Sequence, residues 1–160
     1  MNQSSGRSLS SQTLHANCLQ LDDKGVLITG SSGSGKSVVS LSLIERAQWS
    51  GRQACLVSDD YTEIKNEDGM LYGLCPQTLK GGIEIRGAGL YSLNFIPKTR
   101  LSFIIDLSCN YERLPSGRQM ILCGVSLPLY ALPSLQHSDS VAICQAIEAF
   151  CFGKVWKNPA

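Results

Sequence analysis

The stretch that constrains this chain most is Gly30-Ser31-Ser32-Gly33-Ser34-Gly35-Lys36-Ser37. It satisfies the pattern G-x-x-x-x-G-K-[ST] at every fixed position. The apolar run Val26-Leu27-Ile28 precedes it, and Val38, Leu41 and Ile44 follow at helical spacing, which places it between a strand and a helix. Glycines are needed there because the backbone must curl tightly enough to aim successive N–H groups at one anion, and the helix N-terminus adds partial positive charge. Lys36 can then reach the outer phosphates of a nucleotide, and Ser37 can offer its hydroxyl to the magnesium ion that bridges them. The eight residues Gly30, Ser31, Ser32, Gly33, Ser34, Gly35, Lys36 and Ser37 are therefore expected to bind ATP, with Mg2+ as its partner. A flexible Gly/Ser turn is the plain alternative, and the strand-to-helix context argues against it.

Around this loop the pattern predicts a mixed α/β domain. Cys18-Leu19-Gln20-Leu21 alternates, and Asp22-Asp23-Lys24-Gly25 is turn chemistry, so a hairpin feeds the loop. A helix is expected from Lys36 to about Gln48, then a strand over Ala54-Cys55-Leu56-Val57 that ends at Asp59-Asp60. Thr62-Glu63-Ile64 and Met70-Leu71-Tyr72 flank an Asp68-Gly69 reversal, which gives a second hairpin. Ile83-Glu84-Ile85 and Leu101 to Leu107 read as strands, and Tyr111 to Arg118 as a loop. A last helix capped by Ser138 or Asp139 puts Ile143 or Cys144, Ile147, Phe150 and Cys151 on one face. Hairpins interrupt the strand-helix alternation, so the fold class is a P-loop domain with a mixed sheet flanked by helices, not a purely parallel one.

Phosphoryl transfer needs a carboxylate at a neighbouring strand end for the metal and, for a hydroxyl acceptor, a base. Asp59-Asp60 and Asp106 compete for these roles. The adjacent pair is favoured because side chains alternate along a strand, so one carboxylate can face the metal and the other the acceptor. If Asp22 to Gly25 is the turn, Leu21 pairs with Val26, Leu19 with Ile28, and His15 comes to lie opposite Ser32, beside the phosphate loop. A surface histidine is the equally simple alternative.

The totals limit what else the chain can be. With 160 residues one domain is expected over 13–160, after a polar tail over 1–12. The net charge of +1 offers no electrostatic argument for nucleic acid or a membrane surface. The seven cysteines form no C-x-x-C pair and mostly sit in apolar runs. With no secretory signal in Met1 to Gln12, they read as reduced thiols of a cytoplasmic protein.

Several separated segments together resemble one family, the catalytic domain of HPr kinase/phosphorylase in a short form without the usual N-terminal domain. They are Leu14-His15-Ala16, Gly25-Val26-Leu27-Ile28-Thr29-Gly30, Leu56-Val57-Ser58-Asp59-Asp60, Glu84-Ile85-Arg86-Gly87-Ala88-Gly89 and Glu112-Arg113-Leu114-Pro115. The resemblance implies a fold like that of phosphoenolpyruvate carboxykinase, and an ATP- and magnesium-dependent kinase for a serine of the phosphocarrier HPr. It also implies phosphorolysis of phosphoserine-HPr and a hexameric assembly. By the same resemblance Lys36 binds phosphate, Ser37 and Glu84 ligate magnesium, and His15 is the active-site histidine. Asp60, helped by Asp59, is the carboxylate that takes the serine proton, and Arg113 serves dephosphorylation. Two rival functions stay open at this point: a P-loop kinase of a small hydroxyl substrate, and a nucleotide-sensing regulator without turnover.

Overall fold

The computed structural model of the chain describes residues 10–157. Strands β1 (Ser11–Leu14), β2 (Ala16–Leu21) and β3 (Lys24–Gly30) lead into helix α1 (Lys36–Trp49). Then come β4 (Ala54–Ser58), β5 (Thr62–Glu67), β6 (Met70–Leu74), β7 (Gly82–Ile85), β8 (Gly89–Ser92) and the long β9 (Lys98–Ser108). The chain continues through β10 (Gln119–Leu122) and β11 (Val125–Pro133) to helix α2 (Ser140–Phe152).

A mixed, nine-stranded sheet runs in the order β1-β5-β6-β9-β3-β2-β4, with β11 and then β10 branching from β9. The centre is β3, parallel to β9 and antiparallel to β2, while β11 lies parallel to the C-terminal half of β9. Leu19, Leu21, Val26, Ile28 and Ile105 face the helices and pack with Val39, Leu43, Ile44, Ile143 and Ile147. Each fully buried leucine or isoleucine of this layer contributes about 1.5–3 kcal/mol relative to exposure. A second cluster, around Leu27, Val57, Ile64, Leu71, Leu101 and Ile104, contains no α-helical residue. Thus the mixed P-loop α/β class stands, with both α-helices on one face of the sheet.

Most expected elements form within a residue or two of their anticipated ends. The first hairpin differs in register: Leu21 pairs with Lys24 and Leu19 with Val26, so the turn is Asp22-Asp23 alone, with Asp22 at φ 50°. The partner of every β2 residue shifts by two positions, which leaves the faces unchanged because strand side chains alternate with period two. The pairing of His15 with Ser32 is therefore corrected. The ladder runs from Leu21–Lys24 to Ala16–Thr29, and His15 lies at the bend where the chain leaves β1 for β2.

Of the polar stretch 1–12, residues 1–9 lie outside the described residues, while Ser11 and Gln12 already pair with Lys65 and Ile64 in β1. Strands β1, β8, β10 and β11 were not anticipated from the pattern. Among the described residues no helix is long and apolar enough to cross a membrane.

Candidate active site

The phosphate loop is a turn that only glycine fits at two points. Gly35 caps α1 in the left-handed region at φ 100°, and a Cβ there would lie 2.3 Å from Leu135 Cγ. At Gly30, φ 151°, it would lie 2.6 Å from Ser34 Oγ and 2.9 Å from the Leu107 carbonyl oxygen. Ser34 N–H donates to Ser31 O at 3.0 Å, and Leu135 N–H donates to Ser34 O at 2.9 Å, so the segment after β11 clamps the loop from outside. Ser34 Oγ is buried with no hydrogen-bond partner among the described residues.

Lys36 is only 6% exposed and folds back over the loop, donating to Gly30 O at 2.9 Å and Ser31 O at 3.3 Å. Burial lowers the pKa of its ammonium group, an effect that Asp60 and Asp59 partly oppose. An anion in the cradle would supply the charge that this buried cation lacks.

The two carboxylates at the end of β4 point to different partners. Asp59 is buried against α1: its Oδ1 accepts from Ser37 Oγ at 2.6 Å and from Asn17 Nδ2 at 2.7 Å, and its Oδ2 accepts from the Glu84 backbone N–H at 3.0 Å. Asp60 adopts φ 69° and turns outward, where Oδ1 lies 2.7 Å from His15 Nε2. The ring of Tyr61 packs on the imidazole, with centroids 5.3 Å apart. The divergence arises from the left-handed backbone at Asp60, since both carboxylates lie in the bend just after β4 and not in the strand itself. Asp106, the competing carboxylate, accepts instead from Thr29 Oγ1 at 3.3 Å on the neighbouring strand.

A cavity of about 460 Å³ opens over these groups, lined by His15, Ser32, Gly33, Gly35, Lys36, Ser37, Val38, Asp60, Glu84, Arg86, Leu135 and Gln136. It brings together the loop, His15, Asp60 and Glu84, with Asp59 held behind Ser37. Arg113 lies elsewhere: it is exposed on the loop between β9 and β10 and borders a 110 Å³ pocket with Tyr130 and Phe150. A larger groove of about 680 Å³, with Arg46, Trp49, Glu148 and Phe152 in its wall, is formed by residues from the C-terminal parts of both helices.

Sequence reasoning missed Asn17, Leu135 and Gln136. Asn17 left a trace, because it shares a face of β2 with Leu19 and Leu21 and is the polar member of that row. Leu135 and Gln136 follow β11, which was itself unrecognised.

The residues suit a magnesium ion bound together with a nucleotide. Among the described residues no group of three or more His, Cys, Asp or Glu could hold a metal alone. At nucleotide sites magnesium takes a hydroxyl and one or two carboxylates beside phosphate oxygens and water, and Ser37 and Glu84 both border the cavity. Ser37 and Glu84 would hold the ion, with Asp59 orienting Ser37.

The family model described as HPr Serine kinase C-terminal domain matches residues 7–152. An HPr kinase/phosphorylase of Azoarcus sp. is 34% identical over 149 residues, covering 84% of this chain and 46% of the relative. One from Clostridium kluyveri is 36% identical over 149 residues, covering 85% and 46%. The chain thus spans about half the length of the curated relatives it matches. A solved HPr(Ser) kinase/phosphatase of Coxiella burnetii superimposes with a TM-score of 0.72 at 32% identity, covering 88% of this chain and 96% of that one. With a phosphate loop, a divided carboxylate pair and a histidine gathered on one cavity, and with a family match over nearly its whole length, this chain belongs to the HPr serine kinase C-terminal domain family.

Proposed function

We propose that the chain transfers the terminal phosphoryl group of ATP, with magnesium, to a serine hydroxyl of the phosphocarrier protein HPr. The observation that carries this reading is the His15–Asp60 pair, 2.7 Å apart at the mouth of the phosphate-loop cavity. Asp60 is 54% exposed on its side chain, so a protein hydroxyl can reach it.

In the forward direction the loop amides and Lys36 hold the phosphate chain, and the acceptor serine approaches Asp60. The serine oxygen forms a bond to the γ-phosphorus as the bond to the β-phosphate oxygen breaks. ADP leaves, and the serine proton passes to Asp60 Oδ. His15 orients that carboxylate. Magnesium, when bound, neutralises charge on the phosphate oxygens. In the reverse reaction an oxygen of inorganic phosphate attacks the phosphoserine phosphorus, Asp60 returns the proton to the departing serine oxygen, and pyrophosphate is released. Arg113 enters this scheme only if its loop moves toward the cavity or another subunit supplies it, and the hexamer expected from the family offers such a subunit. The seven free cysteines fit a cytoplasmic setting for this reaction.

The test is incubation with HPr, labelled ATP and magnesium. Wild-type protein should label one HPr serine, and Asp60→Asn should lose about 100-fold or more in rate while ATP affinity stays within about threefold. Full transfer by Asp60→Asn would remove Asp60 from the role of base. Tight ATP binding with neither HPr labelling nor pyrophosphate formation would favour a nucleotide-sensing regulator instead.

A further inference from the structure

Asn17 occupies a place where the packing calls for an apolar side chain. It lies on β2 in the same row as the core residues Leu19 and Leu21, facing α1, and it is completely buried. Its amide is nevertheless fully engaged. Nδ2 lies 2.7 Å from Asp59 Oδ1, 3.2 Å from Ser40 Oγ and 3.4 Å from Ser37 Oγ, and Oδ1 accepts the Asp60 backbone N–H at 3.0 Å. Both hydroxyls have their protons directed elsewhere, Ser40 to Lys36 O at 2.8 Å and Ser37 to Asp59 at 2.6 Å, so each is free to accept. The partners also settle which end of the amide is which: a carboxylate needs a donor and an N–H needs an acceptor.

From this geometry we propose that Asn17 is a positioning residue that sets the metal side and the acceptor side of the site with one rigid group. Its NH2 end holds Asp59 against Ser37, the hydroxyl available to the metal. Its oxygen anchors the backbone of Asp60 in the left-handed conformation that directs the carboxylate to His15. Aspartate adopts that conformation more readily than most non-glycine residues, and the bond from its N–H to Asn17 holds it there. The inference rests on the phosphoryl-transfer reading and adds that the two halves of the site are aligned together. Misplacing either by about an ångström would cost rate without emptying the phosphate cradle.

The test compares Asn17→Val with Asn17→Thr, two β-branched residues suited to a strand that differ by a methyl and a hydroxyl. Four readouts are taken: thermal unfolding, calorimetric ATP binding in EDTA, the same with Mg2+, and kcat for transfer to HPr at saturating Mg-ATP. For both variants, affinity in EDTA should stay within about threefold of wild type. For Asn17→Val, the gain in affinity from Mg2+ should shrink about tenfold and kcat should fall about 100-fold. Asn17→Thr, which keeps a hydroxyl able to bond Asp59 or Asp60, should recover about tenfold of the lost kcat.

A wild-type Mg2+ gain and kcat in Asn17→Val, whatever its melting temperature, overturns the inference and leaves a residue that serves folding alone. If Asn17→Val does not fold, Asn17→Thr decides: a reduced Mg2+ gain supports the inference, and wild-type values overturn it. Failure of the wild-type chain to bind ATP at all overturns the nucleotide reading and this inference with it. Wild-type Mg-ATP binding without transfer to HPr removes only the acceptor, and the Mg2+ gain then decides the role of Asn17.

Discussion

Replacing Gly35 by alanine tests whether the phosphate loop is held by its neighbour Leu135 or only by its own backbone. At Gly35 the new methyl meets two penalties. One is the left-handed conformation at φ 100°, which costs an L-residue about 1–2 kcal/mol. The other is collision with Leu135, whose Cγ and Cδ1 would lie 2.3 and 2.4 Å away against the about 3.5–4.0 Å that carbon atoms need. Leu135 must then move by more than about 1 Å, and overpacking of this kind costs about 1–3 kcal/mol. Gly33→Ala is the matched control, because φ is 79° there but none of the described residues lies within 4 Å of the added carbon. The two variants share the backbone penalty, so their difference isolates the collision. For a domain of this size about 1–3 kcal/mol corresponds to a melting temperature about 2–12 °C lower for Gly35→Ala than for Gly33→Ala. Differential scanning calorimetry of both proteins without nucleotide provides the comparison. Equal melting temperatures would refute the clamp and mean that Leu135 yields without cost.

Other outcomes follow from single side chains. Lys36→Met should melt no lower than wild type, since it removes a buried cation whose hydrogen bonds among the described residues go to two carbonyls and to no carboxylate. The Lys36 pKa is lowered on folding, so its charge opposes folding at neutral pH. The stability gap between the two proteins should narrow as pH rises through that lowered value toward 10.5. Arg46 and Glu148 join α1 to α2 through two bonds of 2.7 and 2.8 Å, and a double-mutant cycle by urea unfolding should give a coupling of about 1 kcal/mol with ATP affinity unchanged. A thiol reagent at pH 8 should modify exposed Cys109 first. Burial pushes Cys144 up to about 11 and Cys151 up to about 12, so buried Cys144 should react only on unfolding and half-buried Cys151 more slowly than Cys109. Because those pKa values are raised on folding, the stability they lend is complete below about pH 8.5 and is lost as pH climbs through about 11 for Cys144 and about 12 for Cys151.

Local chemistry made much of the fold legible. The phosphate loop carried its own context, Asp68-Gly69 marked its hairpin, and Asp139 caps α2 by accepting from the Ala142 N–H at 2.8 Å. What stayed hidden depended on distant partners. Strand β11 contains Pro128 and Pro133, which argue against a central strand, yet its parallel ladder with β9 begins only at Leu129, beyond the first proline. The hairpin register was missed by two positions because Asp22 accepts φ 50° and lets the turn close on two residues, with its backbone N–H bonded to Gln53 O at 2.8 Å.

At the site, the adjacent carboxylates suggested divided roles, but the one that faces α1 is held by distant partners, among them Asn17, 42 residues before Asp59 in the chain. His15 reaches Asp60 across 45 residues of sequence. Neither spacing is a local signal, and Arg113 came from family resemblance alone.

The central claim is that the cradle of loop amides, backed by Lys36, closes on a nucleotide's phosphates. Isothermal titration of the wild-type chain and Lys36→Met with ATP and magnesium tests it most directly. The account predicts saturable one-site binding by the wild type, weakened about 100-fold or more in Lys36→Met. No heat with the wild type, or equal affinity in both proteins, would contradict it.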